Sequence, residues 1–115
     1  MKDFEKALDL IAKETKTYRE ASVNDGETLN KCLQQISATL AYLETIRAEY
    51  HKEWQQTVND LIIRNGLSVS RAENEAHVKV PEMYLLRRVM DGSYEVIGAI
   101  RTNISYLKSE RNATM

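Results

Sequence analysis

The sequence predicts an all-α protein in which a short N-terminal helix precedes a long antiparallel helical hairpin of coiled-coil type, the second arm kinked near Pro81. Three observations lead there. One proline and four glycines in 115 residues are too few for the many turns of a β-sandwich. Apolar residues recur every three or four positions along most of the chain, and strict alternation is absent. Two apolar stripes of nearly equal length also flank a single stop-and-start signal, NGLSVSRAE at 65–73. A chain of this length supports one domain, 1–115, with a modest core and no separate catalytic unit.

Phe4, Leu8, Ile11, Thr15 and Tyr18 draw one stripe and set the first helix over 3–20. Asn24, Asp25 and Gly26 favour turn geometry, so a corner falls at 22–27. From 28 to 65 no residue breaks a helix, and Leu29, Leu33, Ile36, Leu40, Leu43 and Ile46 begin a stripe that Tyr50, Trp54, Val58 and Leu61 complete. At about 1.5 Å per residue this is a rod of roughly 57 Å, which calls for a partner helix along its length. Asn65-Gly66 supplies a residue able to take the left-handed conformation, and Leu67 sits where a closing apolar contact falls. Ser70-Arg-Ala-Glu73 then fits a capping box. Stop and start so close together make a turn at 66–70 and an αα-hairpin.

The return arm, over 71–110, carries Ala72, Ala76, Val80, Met83, Leu86 and Met90, and beyond them Tyr94, Ile97, Ile100, Ile104 and Leu107. Pro81 lacks an N–H and bends this arm near 77–80. Asp91-Gly92-Ser93 is a second weak point, but the stripe keeps its phase across it, so one kinked helix is expected rather than a break at 92. Pairing the arms symmetrically about the corner sets Trp54 near Pro81.

Lys plus Arg and Asp plus Glu nearly cancel, leaving a formal charge of −1, so any nucleic-acid binding must come from a local patch. Cys32 is the only cysteine, which excludes an internal disulfide and a thiolate cluster; its place beside Leu33 reads as a core thiol. No segment has signal-peptide or membrane-span character, so a cytoplasmic protein with no membrane partner is expected. On that expectation the glycosylation-type triplets at Asn103 and Asn112 carry no meaning. Glu73 and His77 lie one turn apart, but a metal site needs three or four convergent ligands, and both His51 and His77 read as solvated. No phosphate loop or activated nucleophile is evident. The expectation is no enzyme, no metal and no cofactor.

One surface pattern stands out. Arg87, Tyr94, Arg101 and Lys108 are spaced by seven and form a line beside the apolar seam. They read either as a nucleic-acid track, with cations on phosphates and Tyr94 stacking on bases with help from Tyr84 or Tyr106, or as a flank. As a flank, the cations reach Glu49, Glu44 and Glu27 on the opposite arm and Tyr94 belongs to the core. A two-helix hairpin also leaves apolar surface that the short first helix only half covers, which points to a homo-oligomer.

The stretches SVSRAENEA at 68–76 and AIRTNISYLKSE at 99–110, with a tyrosine-bearing helix between them, resemble the UvsY-like recombination mediators of phages. The resemblance covers about residues 66–110. It implies an oligomer of helical protomers in the host-cell cytoplasm that binds single-stranded DNA and a RecA-like recombinase in DNA recombination. The residues matching a DNA-contacting role are Arg71, Arg87, Arg88, Arg101 and Lys108, with Tyr94 beside them. The alternative is a helical protein-interaction module, such as an adaptor, assembly chaperone or inhibitor of a host protein, with no nucleic-acid binding.

Overall fold

The computed structural model describes residues 3–113 and the side chains of 4–111. Asn112-Ala-Thr114 therefore lies outside the described side chains. Among the described residues four helices follow in order: α1 (Asp3–Glu20), α2 (Gly26–Asn65), α3 (Val69–Lys79) and α4 (Pro81–Ala113). Among the described residues there is no strand, and the molecule is a rod of 68 × 29 × 19 Å. At 40 residues, about 60 Å, α2 spans nearly the whole long axis. It is the spine on which the other three helices lie.

Each boundary has a local cause. The corner after α1 ends with Asp25, whose carboxylate accepts the Thr28 N–H at 3.1 Å and the Thr28 hydroxyl at 2.7 Å. Both bonds favour the ionised acid and lower the Asp25 pKa below its ordinary value. With Asp25 as N-cap, α2 starts at Gly26, two residues before the expected position. At its far end Gly66 takes φ 66, ψ 23, and its N–H donates to the Ile62 carbonyl at 3.1 Å. Leu67 then packs on the cluster around Leu61, as the sequence predicts.

The capping box at Ser70 does not form. Ser68 caps instead, accepting the Arg71 N–H at 3.3 Å, and α3 begins at Val69. Gly66 has already reversed the chain, so any residue left out of α3 would carry backbone groups with no helical partner. The return arm is not the single kinked helix expected over 71–110: it is interrupted at Val80, just before Pro81, and divides into two elements. Val80 takes φ −125, ψ 69, because the proline ring pushes the residue before it out of helical geometry. Pro81 then serves as the first residue of α4, where a missing N–H costs nothing. Gly92 causes no break, and α4 runs through it.

Two clusters hold most of the described core, and Val80 and Met83 are buried besides them at the junction of α3 and α4. The larger joins Phe4 and Ile11 of α1, Leu29, Cys32, Ile36, Leu40 and Leu43 of α2, and Leu86, Met90, Ile97 and Ile100 of α4. Removing a side chain such as Ile36, Leu43, Leu86 or Ile100 fully from water contributes about 1.5–3 kcal/mol each. The smaller cluster, Val58 and Leu61 against Ala72 and Ala76, holds the hairpin tip, where two alanines let α3 lie close to α2. Helix α1 packs in cis on the open end of its own hairpin and does not reach α3. Its Phe4 ring meets Tyr50 edge-on at 5.7 Å, and its Tyr18 hydroxyl accepts a bond from Asn103 Nδ2 at 3.0 Å.

Candidate nucleic-acid interface

The line expected on the return arm forms on α4. Met90, Ser93, Ile97 and Ile100 step by three and four into the core, which puts Arg87, Tyr94, Arg101 and Lys108 on a flank, all exposed. Successive members of a seven-residue line are about 10 Å apart along a helix. Tyr94 is 49% exposed, so it is not a core residue; Ser93 takes the buried place, its hydroxyl donating to the Val89 carbonyl at 2.7 Å. A 3.6-residue period carries 93, not 94, toward α2 between 90 and 97.

The flank arrangement also differs from the expected ion-pair ladder. Glu44 receives the Tyr94 hydroxyl at 2.8 Å and pairs with Arg47 on its own helix at 3.5 Å. Among the described residues, Arg71, Arg87, Arg88, Arg101 and Lys108 form no ion pair or hydrogen bond through their side chains. The hydrogen bond to Glu44, followed by burial and the carboxylate's charge, raises the Tyr94 pKa above the ordinary phenol value. Its ring is thereby held at the surface with one edge tied to α2. Tyr84 is also exposed, and Tyr106 is exposed with its hydroxyl on Glu110 at 2.9 Å.

Two shallow clefts mark the ends of the line. Arg87 shares one of about 270 Å³ with Arg47, Glu44, Asp91 and Tyr94, where two cations balance two acids. Lys108 shares one of about 360 Å³ with Arg111, Asn30 and the start of α2, over a floor of Ile104 and Leu107, and no carboxylate lines it. Of the two clefts, the one at Lys108 has charged lining residues of one sign, both cations.

The other two predicted residues do not join this line. Arg71 is exposed near the hairpin tip, at the opposite end of α2 from Lys108. Arg88 faces the other side of α4, where it borders a trough with Lys16 and Arg19 of α1. Those two cations were not singled out from the sequence. They continue the Leu8, Ala12 and Thr15 side of α1, but only the fold brings that side next to α4.

The remaining candidates find ordinary roles. Cys32 is buried, and burial followed by the neighbouring Glu14 carboxylate raises its thiol pKa, disfavouring the thiolate. His77 is exposed and lies against Trp54 at 5.4 Å between ring centroids. His51 is half-buried rather than solvated, because it stacks on the same indole at 5.9 Å and 19°. Trp54 thus bridges α2 and α3 one turn before the proline break. Among the described residues no three His, Cys, Asp or Glu side chains are grouped to hold a metal, and no helix is long and apolar enough to cross a membrane. No family model matches this sequence, and comparison with curated proteins and with solved structures returned no match.

Proposed function

We propose that the chain is a non-enzymatic phage-type accessory protein that binds single-stranded DNA along α4 and acts beside a RecA-like recombinase as a recombination mediator. The observation that supports this reading is the line itself: Arg87, Arg101 and Lys108 are exposed, form no close ion pair among the described residues, and flank an exposed tyrosine ring. Free cations at regular intervals release counterions when phosphates replace them, and an anchored ring offers a face for a base. The resemblance at 68–76 and 99–110 supplies the recombinase and the cytoplasmic setting. The test is fluorescence anisotropy of a labelled single-stranded oligonucleotide at several salt concentrations. Replacing Arg87, Arg101 and Lys108 together with alanine is expected to weaken binding and to reduce the log–log salt slope by about 2, from roughly 0.7 per cation. An unchanged affinity and slope removes the line from consideration.

A second reading, the protein-interaction module, is favoured by the hairpin tip. Ile63 and Val78 are each 80% exposed there and Val69 is 59% exposed, in the half of the rod that α1 leaves uncovered. These are separate apolar points, Ile63 on α2 and Val69 and Val78 on different faces of α3, and each is available to a contact with another protein, including a second copy of the chain in a homo-oligomer. This reading predicts a discrete protein partner and indifference to the oligonucleotide.

A further inference from the structure

Both α1 and α4 lie on α2 but touch each other over only a short stretch. The trough left between them, about 720 Å³, has an apolar floor of Leu8, Ile11, Leu85, Val89 and Val96. The charged side chains of the lining are Lys16, Arg19 and Arg88, and all are cations. Glu95, on a neighbouring turn of α4, does not line it. We propose that this trough is a docking groove for an amphipathic helix of another protein, whose apolar stripe is flanked by Asp and Glu.

The dimensions fit a helix. The α1 wall runs from Leu8 to Arg19, about 17 Å or three turns, which matches anchors at i, i+4, i+7 and i+11. The charge chooses the partner. A second copy docking about a two-fold axis would bring Lys16, Arg19 and Arg88 against themselves, since such an interface is the same patch on both sides. Single-stranded DNA would find cations here but no aromatic ring among the lining residues. An acidic, apolar-striped helix satisfies both the floor and the rim.

Gly92 supports the same occupant. It lies inside α4 on the trough wall, and a Cβ built on it would meet nothing within 4 Å. A glycine in a helix interior costs about 1 kcal/mol relative to alanine, and no contact within the chain accounts for it. A missing side chain there lets a docked helix approach the α4 backbone.

The experiment is an amide NMR titration of the ¹⁵N-labelled full chain with three separate probes. These are a synthetic helical peptide with a leucine stripe and glutamate flanks, the same stripe with lysine flanks, and an oligothymidine. The glutamate peptide is expected to shift the amides of Leu8, Ile11, Val89 and Gly92 and to bind at least tenfold more tightly than the lysine peptide. Combining Lys16→Glu, Arg19→Glu and Arg88→Glu, all exposed positions, is expected to reverse that preference. Gly92→Phe is expected to weaken both peptides at least tenfold while helix content is kept. Equal affinity for the two peptides, shifts confined to other surfaces, or no binding of the glutamate peptide overturns the proposal. So does oligothymidine displacing that peptide from the same amides, or broadening of those amides as the protein alone is concentrated. Oligothymidine shifting Arg101 and Lys108 while leaving the trough untouched leaves the docking result standing, so the fate of the DNA reading is read separately.

Discussion

The same substitution, glycine to alanine, is expected to have opposite effects at Gly66 and Gly92. Gly66 has φ 66, the region where a Cβ crowds its own backbone, and no neighbour lies within 4 Å of the added carbon. The cost is therefore conformational alone: about 1–2 kcal/mol for alanine in the left-handed region. Roughly 0.4–1 kcal/mol of that is offset by the stiffer unfolded chain. Gly66→Ala should lose about 1 kcal/mol. Gly92 lies in the interior of α4 without a positive φ, and its added carbon also meets nothing. Gly92→Ala should gain about 0.8–1 kcal/mol from helix propensity. For a chain of this size each kcal/mol moves Tm by about 4 °C, so the two variants should melt about 8 °C apart on either side of the parent. The sites are far apart along the rod, and the double variant should melt close to the parent. Thermal unfolding followed by circular dichroism measures all four proteins. A Gly92→Ala protein less stable than the parent would show that α4 needs the glycine for its own packing, which sinks the argument that an outside helix explains it. An unshifted Gly66→Ala protein would mean the corner does not depend on left-handed closure.

Further expectations concern the seam and the tip. The Tyr94 pKa is raised by its bond to Glu44, so the stability this contributes is whole below the ordinary phenol value of about 10 and is lost as pH rises through the folded value. Glu44→Gln should bring the Tyr94 titration, followed by tyrosinate absorbance in the alkaline range, back toward ordinary, and an unmoved titration refutes the assignment. Ala76 is fully buried between α3 and α2, so Ala76→Leu should overpack the tip by about 1–3 kcal/mol. Hydrogen exchange should then quicken over 69–79 while amides around Leu86 and Ile100 stay protected, and uniform loss of protection would contradict a divided core.

The helices and the two arms of the hairpin were legible because apolar spacing and local caps are properties of neighbouring residues. Gly66, Leu67 and the bend before Pro81 announced themselves for that reason. Ser68 and Ser70 were not distinguishable, since both are good caps and the choice depends on how early the chain has turned. Burial of Cys32 and Thr39 exceeds a single stripe because α2 is covered on two sides, by α1 and by α4. Glu44's partners, the Trp54 bridge between two histidines, and the nearness of Lys16 and Arg19 to Arg88 depend on contacts between residues distant in sequence. No spacing rule within one helix reports them.

The division of the core into a large cluster at one end and four buried residues, two of them alanine, at the other sets up a gradient of local stability along a single rod. Because the return arm is interrupted at Val80, the thin end is expected to fray before the thick one, while α2 runs unbroken through both. Whatever binds the tip therefore adds order where the chain holds least of its own, and α2 is the one continuous helix through which that order reaches the opposite end.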